Sequence, residues 1–199
     1  MQGVKEKALA LLQSGTVDRV LGWKAGEFFY DLTPAVFTTA EEIEKDFVWS
    51  VFSAANLSKY LIQESRKDGK VAAFLKPCDS YSFVQLLKEH RIWRDHVYVV
   101  GVQCDGMCDI DKIRAAGCKG VTAVTEDGDT LRVTTLTGEK TVNKQDVLLG
   151  RCTVCKSKKI VEFDELLGEQ GEELDSARFD EVAKLEAMTP EERYAFWRG

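Results

Sequence analysis

Between Lys70 and Asp109 the chain carries two uninterrupted apolar runs, Val71–Leu75 and Val97–Val102. Between them lies an amphipathic stretch in which Tyr81, Val84 and Leu87 recur at helical spacing. Short apolar runs joined by a helix predict a right-handed β-α-β unit with parallel strands. On the amino-terminal side, Val4–Leu12 alternates at helical spacing and Ser14-Gly15 closes it. Val17–Trp23 and Phe28–Thr38 read as two strands about Lys24-Ala25-Gly26. Thr39 with Glu42 starts a short acidic helix. Trp49–Ala55 has no clear period, and Asn56–Ile62 begins a helix expected to reach Asp68-Gly69.

Past Cys108, Ile110–Ala116 predicts a brief helix stopped by Gly117. Val121–Thr125, Thr130–Leu136 and Glu139–Val142 follow as strands, with Gly128 and Gly138 in the turns, the pattern of a meander of hairpins. Lys144–Leu149 makes a helical turn that Gly150 ends, and Ile160–Phe163 is strand-like. Gly168–Glu173 is acidic and expected to be loose. Asp175 or Ser176 caps a helix through Met188, and Thr189-Pro190-Glu191-Glu192 starts another, with Thr as N-cap and Pro at N1. The fold class predicted is α/β: a mixed sheet with a central parallel β-α-β unit, an inserted antiparallel meander and a C-terminal helical extension. Residues 1–167 form the α/β domain and 168–199 the extension.

Composition narrows what such a domain does. The 199 residues are 44% hydrophobic and 30% charged, in the range of ordinary soluble proteins. No apolar run approaches the ~20 residues of a membrane helix, and the first residues lack a secretory pattern, so a cytoplasmic protein is expected. A net charge of −6 argues against a nucleic-acid surface. Lys156, Lys158 and Lys159 are a basic cluster too small for one, and suited instead to an anionic cofactor or an acidic electron carrier. Six cysteines are many for a reducing compartment, where metal binding or redox chemistry explains them better than disulfides.

Cys78 and Cys104 each follow one of the paired apolar runs, which places both thiols at the carboxyl edge of parallel strands, where open α/β sheets bind ligands. Cys152 and Cys155 form a C-x-x-C that reaches one metal centre from a single turn. Together they make a set of four, sufficient for a 4Fe–4S cluster or a structural zinc. The plainer reading makes Cys78 and Cys104 small buried hydrophobes. Cys108 competes for a place in the set, and Cys118 is a bystander. Lys76 is either a solvated strand-end lysine or a cation within reach of the bound group. Asp79 and Asp105 are helix caps or oxygen ligands. Phe28, Phe29 and Tyr30 are core aromatics before they are a flavin platform. His90 and His96 sit in a charged stretch, and neither a zinc-hydrolase motif, a G-x-G-x-x-G nor a Walker lysine loop occurs.

Lys76–Asp79 (K-P-C-D), Gly101–Gly106 (G-V-Q-C-D-G) and Arg151–Lys156 (R-C-T-V-C-K), in this order and spacing, resemble the coenzyme F-420 hydrogenase/dehydrogenase beta-subunit family. Asn56–Leu61 and Gly22–Lys24 fit its longer ferredoxin-fused members. The resemblance runs from about Val17 onward. It implies an iron–sulfur flavoprotein of strict anaerobes, with FAD beside a 4Fe–4S cluster ligated by Cys78, Cys104, Cys152 and Cys155. Lys76, Asp79, Asp105 and Gly106 are then the cofactor contacts. The implied function is electron transfer between a hydride carrier or flavin and iron–sulfur partners: hydrogenase, formate dehydrogenase or heterodisulfide-reductase-like subunits, or a ferredoxin. The Met188–Trp197 helix precedes a ferredoxin segment in the longer relatives, so a further domain or a partner subunit is expected beyond it. No residue here is tied to the deazaflavin coenzyme itself. The alternative from the residues alone is a zinc-stabilised interaction module without catalysis, or a scaffold that has lost its cofactor.

Overall fold

The two apolar runs become the middle of a sheet. In the computed structural model, which describes residues 3–174 and 178–199, β1 (Arg19–Ala25) and β2 (Leu32–Phe37) form an antiparallel hairpin. β1 lies parallel to β3 (Val71–Leu75), and β3 lies parallel to β4 (Val97–Val102). Side chains alternate across this sheet. Ala72, Phe74, Val100 and Val102 pack under α1 (Gly3–Gln13) and α2 (Ala40–Asp46). Val71, Ala73, Leu75, Val97 and Val99 pack against α3 (Leu61–Glu64) and Phe83 of α4 (Pro77–Lys88). Both faces are covered, so the strands read as continuous apolar runs.

The connecting helices follow their caps. Thr39 accepts the Glu42 N–H while the Glu42 carboxylate accepts the Thr39 N–H, a complete capping box on α2. Pro77 stands at N1 of α4, where no N–H is needed. The buried stripe of α4 centres on Phe83. Tyr81 turns instead toward the C-terminal segment, within hydrogen-bond reach of Ser157 and Glu173. The helix expected from Asn56 to Asp68 is shorter: a 3-10 turn over Ser58–Tyr60 and then α3. The cause is Arg19, whose buried guanidinium takes the Glu64 and Asp68 carbonyls at 2.7 Å each and the Glu64 carboxylate at 3.1 Å. Carbonyls turned to Arg19 are lost to helix continuation.

Past β4, α5 (Ile110–Ala115) leads into β5 (Val121–Asp127), β6 (Thr130–Thr135) and β7 (Gly138–Asn143), a separate antiparallel sheet in the order expected. Leu131 and Val133 bury one of its faces against Ile113, Val51 and Phe52. Gly150 opens α6 (Gly150–Thr153) instead of ending a helix, and Cys152 sits in that turn. Ile160–Phe163 is irregular, and β8 (Glu165–Leu167) is the strand that pairs parallel with β4. Charge and packing set this register: Asp164 accepts the Val99 N–H at 2.7 Å, Arg94 bridges Glu162 and Asp164, and Ile160 drops onto Gly101. The completed sheet has the order β2-β1-β3-β4-β8.

Residues 168–174 are held to the loop after Cys155. Lys158 N–H donates to Glu172 O at 2.8 Å, Leu174 N–H donates to Lys156 O at 3.0 Å, and the Gln170 side chain clasps both backbone groups of Ile160. Then come α7 (Asp180–Ala187) and α8 (Pro190–Arg198), the latter started by the Thr189 capping box. The cap expected at Asp175 or Ser176 lies outside the described residues. Among the described residues no helix is long and apolar enough to cross a membrane.

Gly22 shows how tight the sheet-to-helix packing is. A Cβ there would overlap the ring of Phe47, which is itself held against Phe37 and Phe74. Gly22→Ala should lower unfolding free energy by about 1–3 kcal/mol, the usual cost of overpacking. Urea denaturation measures it, and a wild-type midpoint would show that Phe47 yields freely.

Candidate functional site

Parallel pairing brings the ends of β3 and β4 to one edge of the sheet, and each strand passes there into a cysteine. Lys76-Pro77-Cys78 turns from β3 into α4, and Gln103-Cys104 leaves β4. The C-x-x-C is brought alongside by a stitch between loops. Cys108 bridges Leu148, Asp109 N–H donates to Val147 O at 2.8 Å, and Leu149 N–H donates to Met107 O at 2.9 Å. Gly106 allows the approach: its φ is 117°, and a Cβ would meet Leu148 and lie 3.5 Å from Cys152 Cβ. The next residue, Met107, donates its N–H to Cys152 Sγ at 3.4 Å.

The result is a cavity of about 340 Å³ whose wall includes Cys78, Cys104, Cys152 and Cys155. Among the described residues no group of three or more His, Cys, Asp or Glu side chains is gathered tightly enough to hold a single metal ion. Tyr81, Met107 and Val154 close other parts of the wall. Its charge is one-sided. Lys76, Arg151, Lys156, Lys158 and Arg178 line it, and no Asp or Glu among the described residues does. In a chain of net charge −6 this is a local positive field suited to an anionic group.

Lys76 is not a solvated strand-end residue. Its side chain is 1% exposed, its ammonium lies 2.8 Å from Asp79 Oδ2, and it donates to the Ala55 carbonyl at 3.2 Å. The rings of Trp23 and Trp49 lie 5.2 and 5.8 Å from the ammonium. Asp79, equally buried, also accepts the Lys76 backbone N–H at 3.2 Å, so it caps α4 and anchors the lysine at once. Burial raises the Asp79 carboxyl, and the Lys76 charge opposes that shift. Cys78 is exposed to the cavity, yet burial by the surrounding protein and then the Asp79 carboxylate push its thiol up to about 12. Burial also raises Cys104, against the Gly106 N–H and the charges of Lys76 and Lys158. Such thiols are neutral at pH 7 until a bound cation displaces their protons.

Six of the eight expected site residues therefore lie on the cavity wall: the four cysteines, Lys76 and Gly106. Asp79 stands behind Lys76, and Asp105 is exposed and off the wall. Cys108 and Cys118 are buried in the cluster beneath the meander with Leu131 and Val147, and neither lies on the cavity wall. Phe29 and Tyr30 pack on Phe52 in that same cluster, and Phe28 is exposed. Arg151, Tyr81, Met107 and Arg178 are wall residues that the sequence does not single out. Arg151, which donates to Ala54 O at 2.7 Å, stood beside the first cysteine of the C-x-x-C. Tyr81 was assigned to the helix core. Met107 and Arg178 carried no signal, because only the tertiary fold brings them there.

No protein-family model matches the chain. Over 96 residues, 48% of its length, it is 36% identical to F420-dependent formate dehydrogenase 1 subunit beta of Methanococcus maripaludis. Over a stretch of the same length it is 35% identical to the F420-dependent formate dehydrogenase subunit beta of Methanocaldococcus jannaschii. Over these stretches the chain is similar to F420-dependent formate dehydrogenase beta subunits. It spans about a quarter of the length of these curated relatives. Its fold is shared with a chain of the F420-reducing [NiFe] hydrogenase complex from Methanosarcina barkeri, at a TM-score of 0.58 and 20% identity, over 75% of this chain and 58% of that one.

Gly106→Ala tests the loop stitch. A side chain at φ 117° is strained and meets Leu148, so the variant should lose about 1–3 kcal/mol. It should also make Cys152 react faster with a thiol reagent, because the Met107 N–H is displaced. Unchanged stability together with unchanged reactivity would show the contact to be incidental.

Proposed function

We propose that the chain is an electron-transfer subunit of an oxidoreductase complex that holds a 4Fe–4S cluster on Cys78, Cys104, Cys152 and Cys155. The observation that carries the reading is that four thiols from three separate segments line one cavity at the carboxyl edge of parallel strands. The donor set suits the group, since thiolates are the ligands of such clusters. All six described cysteines are free thiols, in keeping with a reducing cytoplasm.

The chain's own residues supply the setting. Cys78 lies in the first turn of α4, where the helix end adds partial positive charge. Met107 N–H donates to Cys152 Sγ, and hydrogen bonds to cluster sulfurs favour added negative charge. Arg151, Lys156, Lys158 and Arg178 give the open side cations that would meet the pyrophosphate of FAD. A bound flavin exchanges hydride pairs for single electrons, and a cluster passes the latter on. The relatives' names support F420 as the hydride carrier. They also support formate dehydrogenase or hydrogenase subunits as partners; heterodisulfide-reductase-like subunits or a ferredoxin as electron acceptors rest on the motif resemblance alone. Residues 168–199 would form the extension through which such a partner is reached.

Protein purified without oxygen should contain about four irons and four acid-labile sulfides per chain and be brown, with flavin released on denaturation. Cys152→Ser should lose most of the iron, whereas Cys108→Ala and Cys118→Ala should keep it. One zinc with no iron would replace this reading with that of an interaction module. Neither metal would defeat the four-cysteine site.

A further inference from the structure

We infer that Lys76 is a potential-setting cation, held in place by Asp79, that favours the reduced state of the redox group bound in the cavity. The inference rests on the cluster reading above and concerns residues which that reading does not make ligands. Lys76 is the buried member of the cavity's five cations; Arg151, Lys156 and Arg178 are exposed, and Lys158 is half-buried. An exposed cation is screened by water and salt, while a buried one keeps most of its field. Its position is fixed from several sides, by the Asp79 carboxylate, the Ala55 carbonyl and the faces of Trp23 and Trp49. Asp79 is in turn fixed by the Lys76 backbone N–H, so the ammonium has little freedom to swing away.

The arrangement is polar in a useful sense. Lys76 lies on the cavity wall and Asp79 does not. The positive end of the pair lies on the wall, where its charge favours an anion beside Cys104, whereas at Cys78 the Asp79 carboxylate, 3.8 Å from Sγ, opposes it more strongly, so the two side chains act on the bound group with opposite sign. One-electron reduction adds one negative charge to the bound group. Lys76 offsets that charge without a bond forming or breaking and without a proton moving. The electron comes from the reductant, which in the test is dithionite.

A structural role and a potential-setting role predict different signs. Removing the cation in Lys76→Met should lower the midpoint potential. At a fixed solution potential the reduced-to-oxidised ratio should fall about tenfold, equivalent to about 59 mV for one electron. Removing the anion in Asp79→Asn should move the midpoint upward, because the ammonium is then unopposed. Lys76→Arg, which keeps the charge, should stay near wild type. The readout is a dithionite titration followed by electron paramagnetic resonance of the reduced cluster, on full-length chain with matched iron content. Shifts of opposite sign support the inference. Shifts of the same sign, or none in folded and loaded variants, overturn it and leave the cluster reading standing. If Lys76→Met does not fold, Asp79→Asn decides alone by its upward shift or the lack of one. Wild-type protein that takes up no iron defeats both readings together.

Discussion

The parallel register of β3 on β4 is the constraint from which the rest follows. Val71 pairs with Val97 and Leu75 with Gly101, so the two strands finish level with one another. Parallel strands cannot be joined by a tight turn; α4 must cross over a face of the sheet, and it can do so only after β3 has ended. Pro77 marks that end and begins the helix. Cys78 is thereby placed at the helix start and Cys104 just past the neighbouring strand, on the same edge. The burial of both faces makes the register hard to slip: a shift of one residue would turn Phe74 away from Phe47 and toward the opposite cluster.

The second half of the site depends on weaker and more local links. Gly101 leaves room for Ile160, which lets the chain after Cys155 run beneath β4 before β8 pairs with it. Gly106 plays the corresponding part for Cys152. Two glycines thus act at the two points where a loop must come closer to its neighbour than a side chain allows. The segment 168–174 then braces the loop from outside through Lys158, Lys156 and Ile160. A C-x-x-C whose first cysteine sits on a four-residue helix and whose second lies just past it has little rigidity of its own, so these braces determine how well it is aimed.

Much of this was legible in the sequence where the determinant is local. The apolar runs, the Thr39 and Thr189 capping boxes, the glycine turns of the meander and the order of the cysteine motifs all act over a few residues. They gave the element types and the set of thiols that share a cavity. What the sequence withheld is decided by distant partners. Helix α3 stops because Arg19, more than forty residues earlier, takes its carbonyls. β8 lies later than the apolar residues suggest because Asp164 and Arg94 fix it to β4. Lys76 stays open between a surface lysine and a cation at the site when read along the chain, because no pattern there announces that Asp79, Trp23 and Trp49 will enclose it. Arg178 reaches the cavity by tertiary contact alone.

The Lys76–Asp79 pair is difficult to explain as a stabilising device. Moving two charges out of water costs several kcal/mol per ion, and well-packed apolar residues of similar size commonly serve a fold as well or better. Trp23, whose ring faces the Lys76 ammonium, belongs to an apolar cluster that would accept apolar substitutes. What an apolar pair cannot provide is a fixed field at the cavity wall. The protein carries a net charge of −6, so without its lining cations the site would repel added electrons. Arg151 lies on the short α6, Lys156 and Lys158 on the loop after it and Arg178 on the C-terminal segment, where a docked partner could rearrange them. Lys76 alone is enclosed by the core, which makes its contribution the one that persists whatever the outer segments do.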